Sequence, residues 1–369
     1  MDADFLQAPF PWFGGKSRVA ADVWARFGDV PNYVEPFAGS LAVLLGRPHD
    51  PQIETVNDLD GFIANFWRAL QHAPDEVARW ADWPVNENDL TARHAWLVRN
   101  HLPTLAQRLE GDPDFYDAKI AGWWVWGLCS WIGSGWCSGV GPWQADENGV
   151  MAKAGGNGDG VKKARPHLGN AGRGINRQLP HLNTGGAGVN RVSLSGVNRK
   201  RPALGSDGRQ LEDGQALYDY MRALAARLRR VRVCCGDWSR VCGPSPTVKL
   251  GVTGVFLDPP YSDLANRDPG LYATDSLDVA HECRKWALEQ GDNPLLRIAL
   301  CGYTGEHDGE MTDAGWTPVY WKAAGGYGSQ ADANGNGRAN SHREVIWFSP
   351  HCLQPHIVAP TLFDFEDNE

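Results

Sequence analysis

The 369-residue sequence predicts an α/β fold with a doubly wound, mostly parallel sheet. Short apolar runs at 33–34, 231–234 and 255–257 each end in an acidic or glycine-containing turn. Helical periodicity lies between such runs, and the first part of the chain reads as strand, glycine turn, helix, strand and acid. That order is typical of a mononucleotide-binding half of a doubly wound sheet.

The first segment, up to residue 62, begins with a loop and a helix. A strand at Tyr33-Val34 ends at Glu35-Pro36, and residues 37–40 form a tight turn. A helix begins at Leu41, and a second strand, 53–56, is closed by Asn57-Asp58. The acid at the end of the second strand is the feature that dinucleotide-binding units share.

The α/β pattern resumes at residue 211. We expect a helix over 211–230, strands at 231–234, 255–257 and 297–300, a helix over 278–290 and a last strand at 344–348. Residues 1–62 and 211–369 would then form one split domain, and residues 63–210 an insert.

The first part of the insert, 63–150, looks helical, because apolar residues recur at helical spacing. It ends in a block of six tryptophans between 123 and 143. The block is better explained as core than as a stacking platform. Trp136 and Trp143, which are flanked by glycines, are the candidates for exposed stacking on bases.

The net charge of −9 is unevenly distributed. Residues 151–210 contain eleven Lys or Arg and two Asp, a local charge of +9, so the remainder carries −18. This Gly/Asn/Arg-rich stretch could meet a phosphate backbone despite the acidic total.

The cysteine and hydropathy patterns exclude several classes. No run is long and apolar enough to span a bilayer, and no secretory signal opens the chain, so we expect a cytoplasmic protein without a membrane partner. The eight cysteines include no CxxC pair, which predicts reduced thiols and no metal site. Gly14-Gly15-Lys16-Ser17 is like the end of a phosphate-binding loop, but Phe10 stands where that motif needs glycine.

The strongest motif is Asp258-Pro259-Pro260-Tyr261, directly after an apolar strand. Ligands of open α/β sheets bind beyond the carboxyl ends of strands. Asp258 and the Pro259 carbonyl can accept hydrogen bonds from an amine. The two prolines hold a rigid turn, and Tyr261 offers a flat face to an extruded base. The alternative is an ordinary Pro-Pro turn.

A second motif, Val34 to Ser40, places Gly39 where a ligand can approach the backbone. Asp58 would accept hydrogen bonds from ribose hydroxyls, and Asp237, after another strand, from an adenine amino group. Each acid alone could instead be a helix cap or a turn residue. Three acids at strand ends of one sheet favour a binding site.

Three blocks in one order carry a resemblance to a known family: Pro11 to Lys16, Val34 to Ser40 and Asp258 to Tyr261. They resemble those of Dam-type DNA adenine-N6 methyltransferases, in which the target-recognition region lies between the second and third blocks. Asn57 to Asp60, Cys235 to Trp238 and Arg343 to Ile346 are also similar. The resemblance covers residues 8–70 and 210–350.

The resemblance implies a Rossmann-like methyltransferase sheet with an inserted, largely helical target-recognition domain. It implies transfer of a methyl group from S-adenosylmethionine to adenine N6 of duplex DNA, in line and without a covalent intermediate, after base flipping. The implied catalytic residues are Asp258, Pro259, Pro260 and Tyr261. The implied cofactor-binding residues are Trp12, Gly15, Lys16, Glu35, Pro36, Phe37, Ala38, Gly39, Asp58, Asp237, Trp238 and Asp258.

The basic stretch 151–210 does not map onto the family. Its arginines could contact phosphates, while asparagines read base edges; a solvated loop is the alternative. The DNA-binding candidates are Arg165, Arg173, Arg177, Arg191, Arg199 and Arg201, together with Arg338 in the glycine-rich loop 325–340, which could close over the base.

Other activities fit the sequence to different degrees. Methylation of cytosine C5 needs a cysteine nucleophile, usually in a Pro-Cys pair that the chain lacks. Cytosine-N4 methylation uses the same amine chemistry, but its motif more often begins with Ser, so Asp258 favours adenine. A related enzyme that adds another group or acts on RNA or a free base stays open, as does a non-catalytic DNA-binding protein. A cognate restriction endonuclease is an open alternative as a second partner.

Overall fold

Seven strands form one mixed sheet in the computed structural model of the protein, which describes residues 6–12, 16–102, 104–131, 136–137, 143–145, 151–153, 215–260, 278–321 and 344–355. Two further short strands pair as an antiparallel hairpin. The strands are β1 (Asn32–Glu35), β2 (Ile53–Asp58), β3 (Trp143–Ala145), β4 (Met151–Lys153), β5 (Val231–Cys235), β6 (Thr253–Leu257), β7 (Leu296–Tyr303), β8 (Thr317–Tyr320) and β9 (Glu344–Phe348).

Ten helices accompany these strands in the described part of the chain. They are α1 (Ala20–Phe27), α2 (Ala42–Leu45), α3 (Gly61–His72), α4 (Pro74–Ala81), α5 (Glu87–Asn100), α6 (Leu105–Gly111), α7 (Ala118–Ser130), α8 (Gln215–Leu228), α9 (Val279–Gln290) and α10 (Asp308–Asp313).

The order of the sheet is β5-β2-β1-β6-β7-β9-β8. The first five of these strands are parallel, and β9 runs antiparallel to both β7 and β8. The chain proceeds from β1 outward to β2 and β5, then returns to β6 on the other side of β1. The order therefore reverses between β1 and β6, and ligands of open α/β sheets bind at such a switch point.

Side chains alternate between two cores on opposite faces of the sheet. Tyr33, Phe256 and Ile346 belong to one core, whereas their neighbours Val34 and Val255 belong to the other. The first core is packed by α1 to α8 and the second by α9 and α10. Both faces of the sheet are therefore covered, as in a doubly wound fold, and the predicted α/β sheet is confirmed.

All the strands predicted from the sequence are present. The strand at 344–348 has the predicted bounds, and each of the others extends one to three residues further at one or both ends. The helix predicted over 211–230 is described from Gln215 and ends at Leu228. Three elements were not predicted from the sequence: α10, β8 and the β3–β4 hairpin. All are short, and β8 contains a proline, so their periodicity is weak.

The helical prediction for the region after residue 62 is confirmed as far as Ser130. Helices α3 to α7 share one core with the sheet: Phe66 and Trp67 of α3 and Trp124 of α7 all pack around Phe10. The split of the chain into a sheet domain and an insert from residue 63 stays a prediction.

The tryptophan block contributes mainly to this core, as expected: Trp124 and Trp126 are buried. The prediction of an exposed Trp136 is wrong, because only 8% of its surface is accessible. Gly127 leaves a gap on α7 that the Trp136 ring fills, and the indole Nε1 donates to the Trp124 carbonyl at 2.9 Å. The side chain of Trp143 lies outside the described residues.

All eight cysteines lie within the described residues and are free thiols, as predicted. Across those residues no cluster of His, Cys, Asp or Glu has the arrangement of a metal site. None of the described helices combines the length and apolarity needed to cross a membrane.

Arg68 of α3 connects three parts of this architecture. Its guanidinium donates to the carbonyls of Leu109, Asp112 and Phe115 at 3.0–3.2 Å, and to that of Val233 in β5 at 3.0 Å. Arg68 is buried, and burial lowers its pKa. One cation thus satisfies four carbonyls between the helices and the sheet.

We expect Arg68→Met to lower the free energy of unfolding by about 3 kcal/mol, because carbonyls are left without a donor in a dry environment. Arg222→Met is the control: this exposed arginine pairs only with Asp75 and Asp219 on the surface, so it should change stability little. Denaturant unfolding measures both. Equal effects of the two substitutions would contradict the role given to Arg68.

Candidate active site

The carboxyl ends of the central strands gather most of the acids singled out from the sequence. Glu35 ends β1, Asp58 ends β2, and Asp258 directly follows β6. Asp237 follows β5 after Gly236. Because these strands are parallel neighbours, their ends meet at one edge of the sheet, which includes the switch point between β1 and β6.

Asp258 is paired with a lysine from the N-terminal segment. The Lys16 Nζ lies 2.9 Å from Asp258 Oδ1. Lys16 is 4% exposed, whereas 24% of the Asp258 side chain is accessible. Burial alone would lower the pKa of Lys16, but the surrounding carboxylates outweigh it and raise this pKa. Lys16 is therefore a permanent cation, and Asp258 presents an accessible carboxylate beside it.

A second carboxylate, Glu344, also faces Lys16. Its Oε2 lies 3.8 Å from Lys16 Nζ, and Glu344 is buried. Sequence reasoning noted Glu344 only as part of the closing Arg-Glu-Val-Ile pattern and gave it no role. The available signal was an acid at the first position of a strand whose next four residues are all apolar.

Glu35 lies inside the protein rather than in an open cleft. Its Oε2 accepts hydrogen bonds from the Tyr33 hydroxyl at 2.9 Å and from the Leu44 amide at 3.3 Å. Burial is the main cause that raises its pKa to about 8. Glu35 thus links β1 to α2 and holds a proton at neutral pH.

The turn after β1 is closely surrounded. Gly39 has a φ of +44°, and a Cβ there would meet Trp12 Nε1 at 2.5 Å, so only glycine fits beneath this indole. The Gly39 amide donates to Asp58 Oδ2 at 3.0 Å, and its carbonyl accepts from Trp67 Nε1 at 2.9 Å. The structure therefore brings Trp12, Gly39 and Asp58 together, and the Trp12 indole occupies the space beside Gly39 where the sequence predicted the approach of a ligand.

Both carboxylate oxygens of Asp58 accept backbone hydrogen bonds. Oδ2 accepts from the Gly39 amide, and Oδ1 accepts from the Asp60 amide at 2.9 Å. Burial and the neighbouring charge of Asp60 raise the pKa of Asp58 to about 7. The helix cap considered for Asp58 is supplied by Asp60, whose Oδ1 accepts from the Phe62 amide at 2.8 Å. Burial raises the pKa of Asp60 to about 6.

Asn57 was not singled out as a site residue, yet it ties two loops of the site together. Its Nδ2 donates to the Pro36 carbonyl at 3.1 Å and to the Gly236 carbonyl at 2.9 Å. Its backbone carbonyl accepts from the Ala38 amide at 2.8 Å. A buried asparagine at a strand end, beside an acid, was the signal for this role.

Two aromatic rings line the edge near β5. Phe37 and Trp238 are stacked, with centroids 6.2 Å apart and planes 26° apart. Trp238 is buried, whereas Phe37 is half-buried. Asp237 is exposed and accepts from the amide and hydroxyl of Ser239, so it caps the short 3-10 turn Trp238–Val241.

Among the predicted catalytic residues, Pro259 is buried and Pro260 half-buried directly after Asp258. The remaining candidates lie outside the described residues. These are Gly15, Tyr261, the loop 325–340 and the arginines Arg165, Arg173, Arg177, Arg191, Arg199, Arg201 and Arg338.

Comparison with known proteins bears on this site. Residues 12–92 match the family described as D12 class N6 adenine-specific DNA methyltransferase. The matched part contains Trp12, Lys16, Glu35, Gly39 and Asp58, and Asp258 lies beyond it. No curated protein matches the chain. The resemblance predicted from the sequence, and the activity of an adenine-specific DNA methyltransferase, are confirmed by the family match; the roles of the site residues stay predictions.

The raised pKa of Glu35 has a consequence for stability. The carboxyl titrates near 4.5 in an unfolded chain and at about 8 in the folded protein. The bound proton therefore stabilises the folded state fully below pH 4.5, and this contribution is lost as the pH rises towards 8.

We expect Glu35→Gln to remove this dependence while its amide oxygen still accepts from Tyr33 and Leu44. Relative to the variant, the unaltered protein should lose about 3 kcal/mol of unfolding free energy between roughly pH 5 and pH 8, since each unit of pKa difference corresponds to about 1.4 kcal/mol. Unfolding at both pH values measures it, with exposed Glu289→Gln as the control. Parallel pH profiles for Glu35→Gln and the unaltered protein would contradict the assignment.

Proposed function

We propose that this adenine-specific DNA methyltransferase transfers a methyl group from S-adenosylmethionine to the N6 amine of an adenine that is flipped out of duplex DNA. The observation that carries the proposal is the Lys16–Asp258 ion pair at the switch point of the sheet. It presents a partly exposed carboxylate, held in place, where a ligand of this fold binds.

The residues at the strand ends fit the proposed cofactor. The half-buried Phe37, which is stacked on the buried Trp238, offers an aromatic ring to an adenine, and Asp58 retains lone pairs for ribose hydroxyls. The absence of a side chain at Gly39 lets the Trp12 indole pack directly on the turn after β1, so Trp12 rather than open backbone would line this part of the cofactor site. When bound, S-adenosylmethionine would supply an electrophilic methyl group on a sulfonium cation, and Asp258 would contribute a negative charge at this edge of the sheet.

The chain's own part in the reaction is to bind and orient the amine. Lys16 engages Asp258 Oδ1, so the other carboxylate oxygen can accept a hydrogen bond from the amine, as can the Pro259 carbonyl. With both amine hydrogens engaged, the nitrogen lone pair points towards the methyl donor. Tyr261 would stack on the extruded base, which offsets part of the few kcal/mol that base flipping costs.

DNA contacts are proposed mainly for the insert. The local charge of +9 over 151–210 supports phosphate contacts by its arginines, and residues 63–210 would form the target-recognition unit between the two halves of the sheet domain. The location we propose for the reaction is the cytoplasm of a bacterial or phage-infected cell. A cognate restriction endonuclease stays a prediction.

The catalytic assignment is tested by Asp258→Ala. We expect its turnover to fall by about a hundredfold or more, because a preorganised acceptor for the amine is lost. Transfer of labelled methyl groups to duplex DNA lacking modified adenine measures the rate, and nucleoside analysis identifies N6-methyladenine. Asp313→Ala, an exposed position on α10, is the matched control.

Two results would contradict these assignments separately. No label in DNA with the unaltered protein would overturn the proposed function. Label in DNA together with an Asp258→Ala rate within about tenfold of the unaltered one would overturn the catalytic role alone, since a direct contact is worth more than that.

The proposed DNA contacts predict a salt dependence. Replacing Arg173, Arg177 and Arg191 with glutamine should weaken DNA binding and flatten the plot of log K against log salt by about 0.9 for each phosphate that is no longer neutralised. Arg229, Arg230 and Arg232, which are exposed in the described part of the chain, form the control triple. Equal slopes for the unaltered protein and the insert variant would exclude these residues from the interface.

A further inference from the structure

Glu344 is a buried acid of the site to which the proposed reaction gives no part. It is the first residue of β9, and β9 runs antiparallel, with Glu344 opposite Tyr303 at the end of β7. The start of β9 therefore lies at the same edge as the carboxyl ends of the parallel strands. This reversal brings a carboxylate within 3.8 Å of Lys16 Nζ.

We propose that Glu344 is a positioning residue for methyl transfer. It anchors Lys16, and the cluster of Lys16, Asp258 and Glu344 carries a net negative charge. This inference rests on the proposed function. It concerns a residue that contacts neither base nor cofactor and acts through the ammonium group of Lys16.

The formal charges of the groups around Lys16 can be added up. Lys16 and Asp258 alone would cancel, and Glu344, as the carboxylate that a contact with an ammonium favours, leaves these three groups, among the residues that the structure describes, with a total of −1. Two other titratable neighbours add nothing at neutral pH. Glu35 holds its proton because its pKa is about 8, and burial keeps the pKa of the Cys301 thiol far above its usual value.

A net negative cluster suits this chemistry. As the amine nitrogen forms its bond to the methyl group, the carbon–sulfur bond of the donor breaks and S-adenosylhomocysteine leaves as a neutral thioether. The nitrogen carries positive charge until it releases a proton to solvent water. A fixed negative charge in a site largely shielded from water stabilises that change more than it would in bulk solvent. A neutral Lys16–Asp258 pair would provide less of this stabilisation.

Glu344 also limits where Lys16 can lie. An ammonium held between two carboxylates stays on Asp258 Oδ1 and leaves the other oxygen to the amine. Packing does not explain an acid here, since Val345, Ile346, Trp347 and Phe348 of the same strand are all buried and apolar. Burying a carboxylate costs several kcal/mol unless a partner compensates, so its position beside Lys16 points to an electrostatic role.

The test compares Glu344→Gln, which removes the charge, with Glu344→Asp, which keeps it. We expect Glu344→Gln to lower kcat about ten- to a hundredfold, with KM for DNA and for S-adenosylmethionine within about threefold, because the lost interaction acts in the transition state. Glu344→Asp should keep kcat within about fivefold of the unaltered enzyme, since the charge is retained.

A second readout needs no cofactor or DNA. Acylation of the unliganded protein with an amine reagent, followed by peptide mass spectrometry, measures how firmly Lys16 holds its proton and its place. Glu344→Gln should raise labelling of Lys16 several-fold relative to the other lysines, on the order of what removal of one charge pair predicts. Glu344→Asp should leave it close to that of the unaltered protein.

The matched control is Glu54→Gln. Glu54 is equally buried, and it pairs with Arg47 at 3.3 Å and Arg227 at 2.7 Å, in contacts that do not include Lys16 or Asp258. Its loss should lower thermal stability yet leave kcat within about threefold, because the group is not part of the reacting site. Glu54→Gln thus shows what removal of any buried carboxylate does.

Two outcomes would overturn the inference. One is a folded Glu344→Gln enzyme with kcat within about twofold and unchanged labelling of Lys16, since no transition-state charge would then be involved. The other is a folded Glu344→Asp enzyme that has lost more than about a hundredfold in kcat despite keeping the charge. Absence of methyl transfer by the unaltered enzyme would instead overturn the proposed function.

Discussion

The site depends on one ion pair, between Lys16 and Asp258, that joins two distant parts of the chain. A buried ammonium is costly without a partner, and the Asp258 carboxylate supplies that partner for Lys16. Much of the surrounding structure keeps these two groups together. Phe10, a few residues before Lys16 in the sequence, is packed among Phe66, Trp67 and Trp124, which anchors the N-terminal segment.

The other half of the site is held by hydrogen bonds among the loops that follow the strands. Asn57 joins the turns after β1 and β5, Asp58 holds Gly39, and Glu35 holds the start of α2. These contacts explain why several acids predicted to bind a ligand are already engaged with the protein backbone. These hydrogen bonds fix the shape of the loops at the switch point. The carboxylate lone pairs that they leave unused are available to a cofactor.

Much of this arrangement could be predicted from the sequence, because strands buried on both faces read as apolar runs and their ends as acids or glycines. Asp258, Asp58 and Gly39 were found in that way. No role was predicted for Glu344, because it reaches the site only through the antiparallel direction of β9, and sequence periodicity does not reveal the direction of a strand. Trp136 was misplaced because its burial depends on the gap at Gly127, a packing relation between a helix and the segment after it. The cap of α3 fell to Asp60 rather than Asp58 for a local reason, the residue at which the helix starts, which sequence patterns place only within a few residues.

The central geometric claim is that Asp258, fixed by Lys16, receives the amine of an extruded adenine. A crystal structure of the protein with duplex DNA and an unreactive analogue of S-adenosylmethionine tests it directly. The predicted result is an adenine outside the helix with N6 at hydrogen-bond distance from Asp258 and from the Pro259 carbonyl, and with the Lys16–Asp258 pair intact. An extruded base whose amine lies away from Asp258, or a Lys16 that leaves Asp258 to contact the DNA, would contradict it.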